Sequence, residues 1–174
     1  MKYTLQTWVN NPILRSKSIE VDKIDKDILE FLLVLRKMMR THDGVGLAAP
    51  QLGKSVRIIA TSQWEKGKDR SKFIGETMMI NPTITQRSKE MFLAEEACLS
   101  VPDVYGYVKR HKGITVEYLD AKGHKQSKKL KDFNATIIQH EIDHLDGILF
   151  VDKMVKEKGS KKDTRKEKEK KGKK

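Results

Sequence analysis

A single cysteine, Cys98, stands in 174 residues. That count excludes an internal disulfide framework and leaves the thiol as a buried structural group, a reactive group or a metal ligand, all three at home in a reducing compartment. No run approaches the ~18 consecutive apolar residues of a membrane span. The opening MKYTLQTWVNNPIL lacks the continuous apolar segment of a secretory signal, so the sequence predicts a soluble, cytoplasmic protein. No internal repeat is visible. Acidic residues are in deficit, 24 against 36 Lys and Arg, for a net charge of +12.

The excess charge is unevenly spread. Residues 155 to 174 hold eleven Lys or Arg against four Asp or Glu, a net of +7, which leaves +5 on residues 1 to 154. With 37% hydrophobic and 34% charged residues, the chain has apolar material for one domain and an appendage. The reading is a single domain over 1 to 154 and a Lys-rich tail over 155 to 174, disordered or a frayed helix, for which nucleic-acid contact is the sharper alternative.

From Asp25, a good N-cap, the residues Ile28, Phe31, Leu32, Leu35, Met38 and Met39 recur at helical spacing and predict a helix ending near Thr41. The stretch DGVGLAAPQLG, 43 to 53, reads as a shaped loop instead of a strand interior, in which Gly44 and Gly46 permit φ > 0 or a close backbone approach. VRIIAT (56 to 61) and MMINPTI (78 to 84) read as strands, with 62 to 77 an exposed loop or irregular hairpin pinned by Trp64 and Phe73. Cys98 lies in a short apolar stretch ended by Pro102, and ITVEYL (114 to 119) followed by HKQSKKL predicts an antiparallel hairpin. Residues 1 to 24 carry no readable function. Strands and helices do not alternate regularly, so the class is α+β, with mostly antiparallel β-sheets packed around a helix bearing the segment QHEIDHLDG, residues 139 to 147.

That segment carries the chemistry. On a helix, His140 and His144 are four residues apart, about 400° of rotation, so both imidazoles share a face and can reach one ion. Glu141 sits about 100° round, where its carboxylate can meet a metal-activated water as general base. Asp132 or Asn134 offers an N-cap, Ala135, Ile137, Ile138, Ile142 and Leu145 surround the polar trio, and Gly147 supplies the stop. A core helix with two hydrogen-bonded histidines is the bland alternative. A catalytic site usually needs a third protein ligand; Cys98 is the most economical one, with His42, His111 and His124 weaker candidates.

Three stretches in this order, GVGLAAPQ at 44 to 51, EACLS at 96 to 100 and QHEIDHLDG at 139 to 147, closely resemble the three motifs of the peptide deformylases, over roughly residues 10 to 154. The resemblance implies Cys98, His140 and His144 as metal ligands, Glu141 as general acid/base, and Gln51 with the Leu99 N–H as donors to the reacting carbonyl. It implies hydrolysis of the N-formyl group from the initiator methionine of nascent polypeptides, with Fe²⁺ as the usual metal and Zn²⁺ or Ni²⁺ as substitutes. Specificity must then come from the methionine side chain and the following backbone. Val45 and Ile137 are apolar candidates for that pocket, and residues Gly44, Val45 and Gly46 could take the peptide as an added strand. Two departures stand out: Ala97 where the motif normally has Gly, and Tyr105 where many members carry Arg. The rivals are a general HExxH zinc peptidase, which lacks a His downstream of His144 here, and a catalytically weakened scaffold associated with the ribosome or its RNA.

Overall fold

In the computed structural model of the chain, which describes residues 3 to 65 and 72 to 155, Asp25 caps the first helix as predicted. Its carboxylate accepts the Ile28 N–H at 3.0 Å. Helix α1 (Lys26–Thr41) buries Ile28, Phe31, Leu32, Leu35 and Met39 along one stripe. Strands β1 (Gly46–Ala48), β2 (Ile58–Glu65), β3 (Lys72–Arg87), β4 (Met91–Cys98), β5 (Val101–His111), β6 (Gly113–Leu119) and β7 (Lys125–Lys131) follow, then helix α2 (Asp132–Leu145) and the short α3 (Phe150–Lys153). Five strands form one antiparallel sheet in the order β1-β2-β3-β6-β7, and β4 pairs with β5 separately. The architecture is α+β with antiparallel sheets.

The continuous apolar run at 58 to 60 exists because both faces of β2 are covered. Ile58 and Ala60 join Ile80 against α1, while Ile59 and Met79 meet Ala135, Ile138, Ile142 and Leu145 of α2. Each fully buried Ile or Leu contributes about 1.5 to 3 kcal/mol, so the two helices are fixed to opposite faces of one sheet. A third cluster, with Leu14, Cys98, Val101, Val108 and Phe150, ties the β4–β5 pair to α3.

Several local expectations give way to tertiary structure. Residues 43 to 53 are more than a shaped loop: Gly46–Ala48 is the edge strand β1, in register with β2 from Gly46 opposite Thr61, and Ala49–Leu52 coils into a 3₁₀ turn. Neither Gly44 nor Gly46 has positive φ. Close approach is the reason at Gly46, where a Cβ would lie 2.2 Å from Glu141 Oε1. Within 62 to 77, the described residues are strand, with Trp64 and Phe73 rings 5.6 Å apart. Pro102 does not end its segment but is the second residue of β5, where a strand start tolerates it.

The start of α2 is also different. Its N-cap is Lys131, with no side-chain cap, and Asp132 takes φ of 51°. Asn134 instead clamps the sheet: its side chain accepts from Trp64 N–H at 3.0 Å and donates to Trp64 C=O at 2.7 Å. Gly147 does stop the helix, with φ of 74° and a Cβ position only 2.5 Å from the Arg15 carbonyl oxygen. The N-terminal arm, silent in the sequence, laces the motifs together. Gln6 N–H donates to Gln51 C=O at 2.7 Å, Trp8 N–H to Ser100 C=O at 2.9 Å and Ser18 N–H to Leu145 C=O at 2.8 Å.

Candidate active site

Strand alternation places Glu96 and Cys98 on the buried face of β4 while Glu95 and Ala97 face out. Helix α2 presents His140 and His144 one turn apart, ring centroids 5.0 Å from each other. The ligand atoms of Cys98, His140 and His144 all lie within 4.8 Å of one another, with Cys98 Sγ 3.2 Å from His144 Nε2. His42, His111 and His124 are not part of this group; His111 Nδ1 faces the Ser88 carbonyl and His124 pairs with Asp120.

A single divalent ion fits these residues. One thiolate and two imidazoles are three donors of the kind that bind a catalytic metal and leave a position open. His140 Nδ1 is held by Glu96 Oε2 at 2.7 Å, which leaves its Nε2 for an ion. Glu141 Oε2 is buried without a hydrogen-bond partner among the described residues, on the wall of the same cavity.

Behind the histidines runs a buried ionic chain that sequence reasoning missed. Arg110 donates to both oxygens of Glu96 at 2.6 and 2.9 Å and to Asp143 Oδ2 at 2.6 Å, and Lys153 donates to Asp143 Oδ1 at 2.6 Å. The available signal was the spacing of Glu96 two residues before Cys98, which forces a carboxylate onto the buried face and demands a cation. Burial opposes ionisation of Glu96, yet the Arg110 and His140 hydrogen bonds outweigh it and hold the carboxyl at about 2. Burial pushes Glu141 up to about 7, with His140 opposing. His144 is pressed well below its ordinary value by burial. For His140 burial works downward, but hydrogen bonds to Cys98 and Glu96 raise it to about 10, so an ion taking that nitrogen competes with a proton.

The cavity in front of the donors has a volume of about 440 Å³. Gly44, Val45, Gly46, Gln51, Leu99 and Ile137 all line it, together with Cys98, His140 and Glu141. His144, 1% exposed, sits behind the wall. Tyr105, noted in the sequence as a departure from the family pattern, lines it too, as does Phe133, which was not anticipated as a pocket residue; Phe133 belongs to the first turn of α2, where a surface aromatic gives no sequence signal of its own.

Residues 7 to 160 match the family model described as polypeptide deformylase. The chain belongs to the polypeptide deformylase family. Peptide deformylases from Pseudothermotoga lettingae and Rhizobium meliloti are 40% and 39% identical to it, over 83% and 82% of this chain and 78% and 79% of theirs. Among solved structures, peptide deformylase from Thermotoga maritima superposes with a TM-score of 0.78 at 33% identity, covering 88% of this chain and 98% of that one. A class I type b peptide deformylase from Acinetobacter baumannii, solved with Met-Ala-Ser bound, gives 0.79 at 34% identity over 87% and 97%. Within the family's second motif, Ala97 keeps an ordinary backbone: it is not among the residues with positive φ, and it lies in β4 opposite Tyr105. A left-handed backbone is therefore not what this position requires.

Proposed function

We propose that this deformylase removes the N-formyl group from the initiator methionine of nascent polypeptides, with Cys98, His140 and His144 holding one metal ion and Glu141 acting as general acid/base. The observation that carries the reading is the meeting in one cavity of a Cys–His–His donor set and a buried carboxylate with an unpartnered oxygen. Helix α2 is then the centre of a catalytic domain covering residues 1 to 154. When bound, the ion supplies Lewis acidity and an acidified water at neutral pH, and the thiolate in its donor set suits Fe²⁺, with Zn²⁺ or Ni²⁺ as substitutes.

Glu141, raised to about 7 by burial, accepts the proton of the attacking water and delivers it to the departing nitrogen. The C–N bond breaks, and formate and a free amino terminus result. Gln51 is oriented for the oxyanion: its Oε1 accepts the Ala48 N–H at 2.8 Å, which turns Nε2 toward Ser100 Oγ at 3.1 Å and Cys98 Sγ at 3.6 Å. The Leu99 N–H is the second donor. Val45 and Ile137 take the methionine side chain, and the free edge of β1 pairs with the peptide as an added strand, with Gly44, Val45 and Gly46 beside it. The Met-Ala-Ser bound to the Acinetobacter relative supports a peptide that begins with methionine.

No helix among the described residues is long and apolar enough to cross a membrane, in keeping with work in the cytoplasm beside the ribosome. The Lys-rich tail, whose residues after Val155 lie outside those described, is assigned contact with ribosomal RNA. The weakened-scaffold alternative is not favoured, because the donor set and Glu141 are both intact. Formate release from formyl-Met-Ala by protein purified anaerobically with Fe²⁺, with metal measured on the same sample, tests the reading. Full metal content without formate would overturn it.

A further inference from the structure

Helix α2 carries a second stripe beside the metal donors. Gln139, Ile142, Asp143 and Asp146 recur at i, i+3, i+4 and i+7, and they wall another cavity of about 430 Å³, completed by the end of β3, the start of β4 and β5. Neither the three metal donors nor Glu141 lines it. Four cationic side chains meet there: Arg87 from the end of β3, Lys109 and Arg110 from β5, and Lys153 from α3. Its two carboxylates are already engaged, Asp143 by Arg110 and Lys153, and Asp146 by Arg57, which lies outside the lining.

Lone exposed lysines are common on a chain with 36 Lys and Arg and mark nothing by themselves. What distinguishes this cavity is a guanidinium on its wall that is only 3% exposed and still has donors to give. Of the five N–H groups of a guanidinium, Arg110 uses three on Glu96 and Asp143, which leaves two without an acceptor among the described residues. A buried donor of this kind is completed by a ligand or by water. Arg87 and Lys109 line the same cavity as exposed cations with no hydrogen bond or ion pair among the described residues. The described chain ends at Val155, two residues after Lys153, and residues 156 to 174, which continue from there, add a net charge of +7.

We propose that this cavity is a binding site for a phosphate group, separate from the substrate cavity. The inference does not depend on the deformylase reading. The planar fork of Arg110 supplies fixed donors to two oxygens of a phosphate, while Arg87 and Lys109 neutralise its remaining charge at the exposed side. A free phosphate ion and the backbone of an RNA strand present the same group, and the charge of the adjoining segment favours the strand.

The test titrates full-length, metal-loaded protein at low ionic strength with inorganic phosphate by calorimetry and, separately, with a short single-stranded oligouridylate by fluorescence anisotropy. Arg87→Gln with Lys109→Gln is expected to weaken binding of at least one probe roughly tenfold, as two charged contacts at an exposed mouth, and to lower the salt slope for the RNA by about two. Lys23→Gln with Lys37→Gln removes the same charge at exposed lysines that do not line the cavity, and should change either affinity by less than about twofold. Arg110 is left intact because it holds Glu96, and equal melting temperatures establish that both variant pairs fold. Weakened phosphate binding identifies a site open to the free ion; weakening confined to the RNA assigns the phosphate to a polynucleotide. Failure of both probes to bind, equal weakening by the two variant pairs, or affinities unmoved by Arg87→Gln with Lys109→Gln overturns the proposal, the last because an ion held at the metal would behave in that way.

Discussion

Glu141 and Cys98 line one cavity, but their surroundings give them separable work. Cys98 Sγ converges with two imidazole nitrogens, whereas burial keeps Glu141 near neutrality as a proton carrier. Cys98→Ala is expected to lose the metal, while Glu141→Gln keeps it and loses ~10²- to 10⁴-fold in kcat. Metal content and turnover on the same preparations separate the two roles; a Glu141→Gln protein above about a tenth of wild-type rate would end the acid/base assignment. Gly46 offers a subtler probe. A methyl group there would lie 2.2 Å from Glu141 Oε1 and 2.8 Å from its carboxyl carbon, so Gly46→Ala must displace the carboxylate or shift β1. Because a displacement of about 1 Å can cost ~10²-fold, that variant should bind metal normally and lose most of its kcat. Wild-type turnover in Gly46→Ala would mean that Glu141 tolerates a second position.

At the scale of elements, β4, β5 and α2 are joined by the Glu96–Arg110–Asp143 chain, and acid should loosen that joint first. Glu96 ionises at about 2 in the fold against an ordinary 4.5. The unfolded chain therefore binds more protons between those values. The stabilisation from ionised Glu96 is complete above about pH 4.5 and disappears as pH falls toward 2, and this shift corresponds to about 3 kcal/mol. Glu96→Gln should cost a comparable amount at neutral pH, since it strips a buried Arg110 of one partner, and should flatten the loss of stability between pH 4.5 and 2.5 in denaturant titrations of chelator-treated protein. An unchanged acid limb would remove Glu96 from the joint. Elements with self-contained patterns were legible in the sequence: α1 through its 3.6-residue spacing and Asp25 cap, the β6–β7 hairpin through alternation. Strand β1 was not, because three residues of glycine-flanked chain become a strand only beside β2. Nor was the α2 start, because Asn134 gives up a local cap for Trp64. The Cys98, His140 and His144 proposed as metal donors were picked out by residue type and order, and the fold brings them together, while Arg110 was hidden because its partners lie on two other elements.

For the whole molecule, the +7 charge of residues 155 to 174 motivates a polyelectrolyte test. Deleting residues 156 to 174 should leave hydrolysis of formyl-Met-Ala unchanged, weaken ribosome binding and flatten its salt dependence, since the slope falls by about one for every phosphate the protein no longer neutralises. Equal salt slopes with and without the tail would leave RNA contact without support. The N-terminal arm has a consequence of a different kind. Its partners Gln51, Ser100 and Leu145 are all made after it, the last of them at the far end of the catalytic helix. Contacts between such distant points pay their loop-closure entropy before they return any stability, and they form slowly. In refolding, an ion that arrives early meets only the His140–His144 pair; the thiol joins once β4 has docked, and the arm can bridge the three motifs only when all of them are in place. Metal uptake should therefore trail the collapse of α1 onto the sheet, making the chain's last folding event its first competent moment as an enzyme.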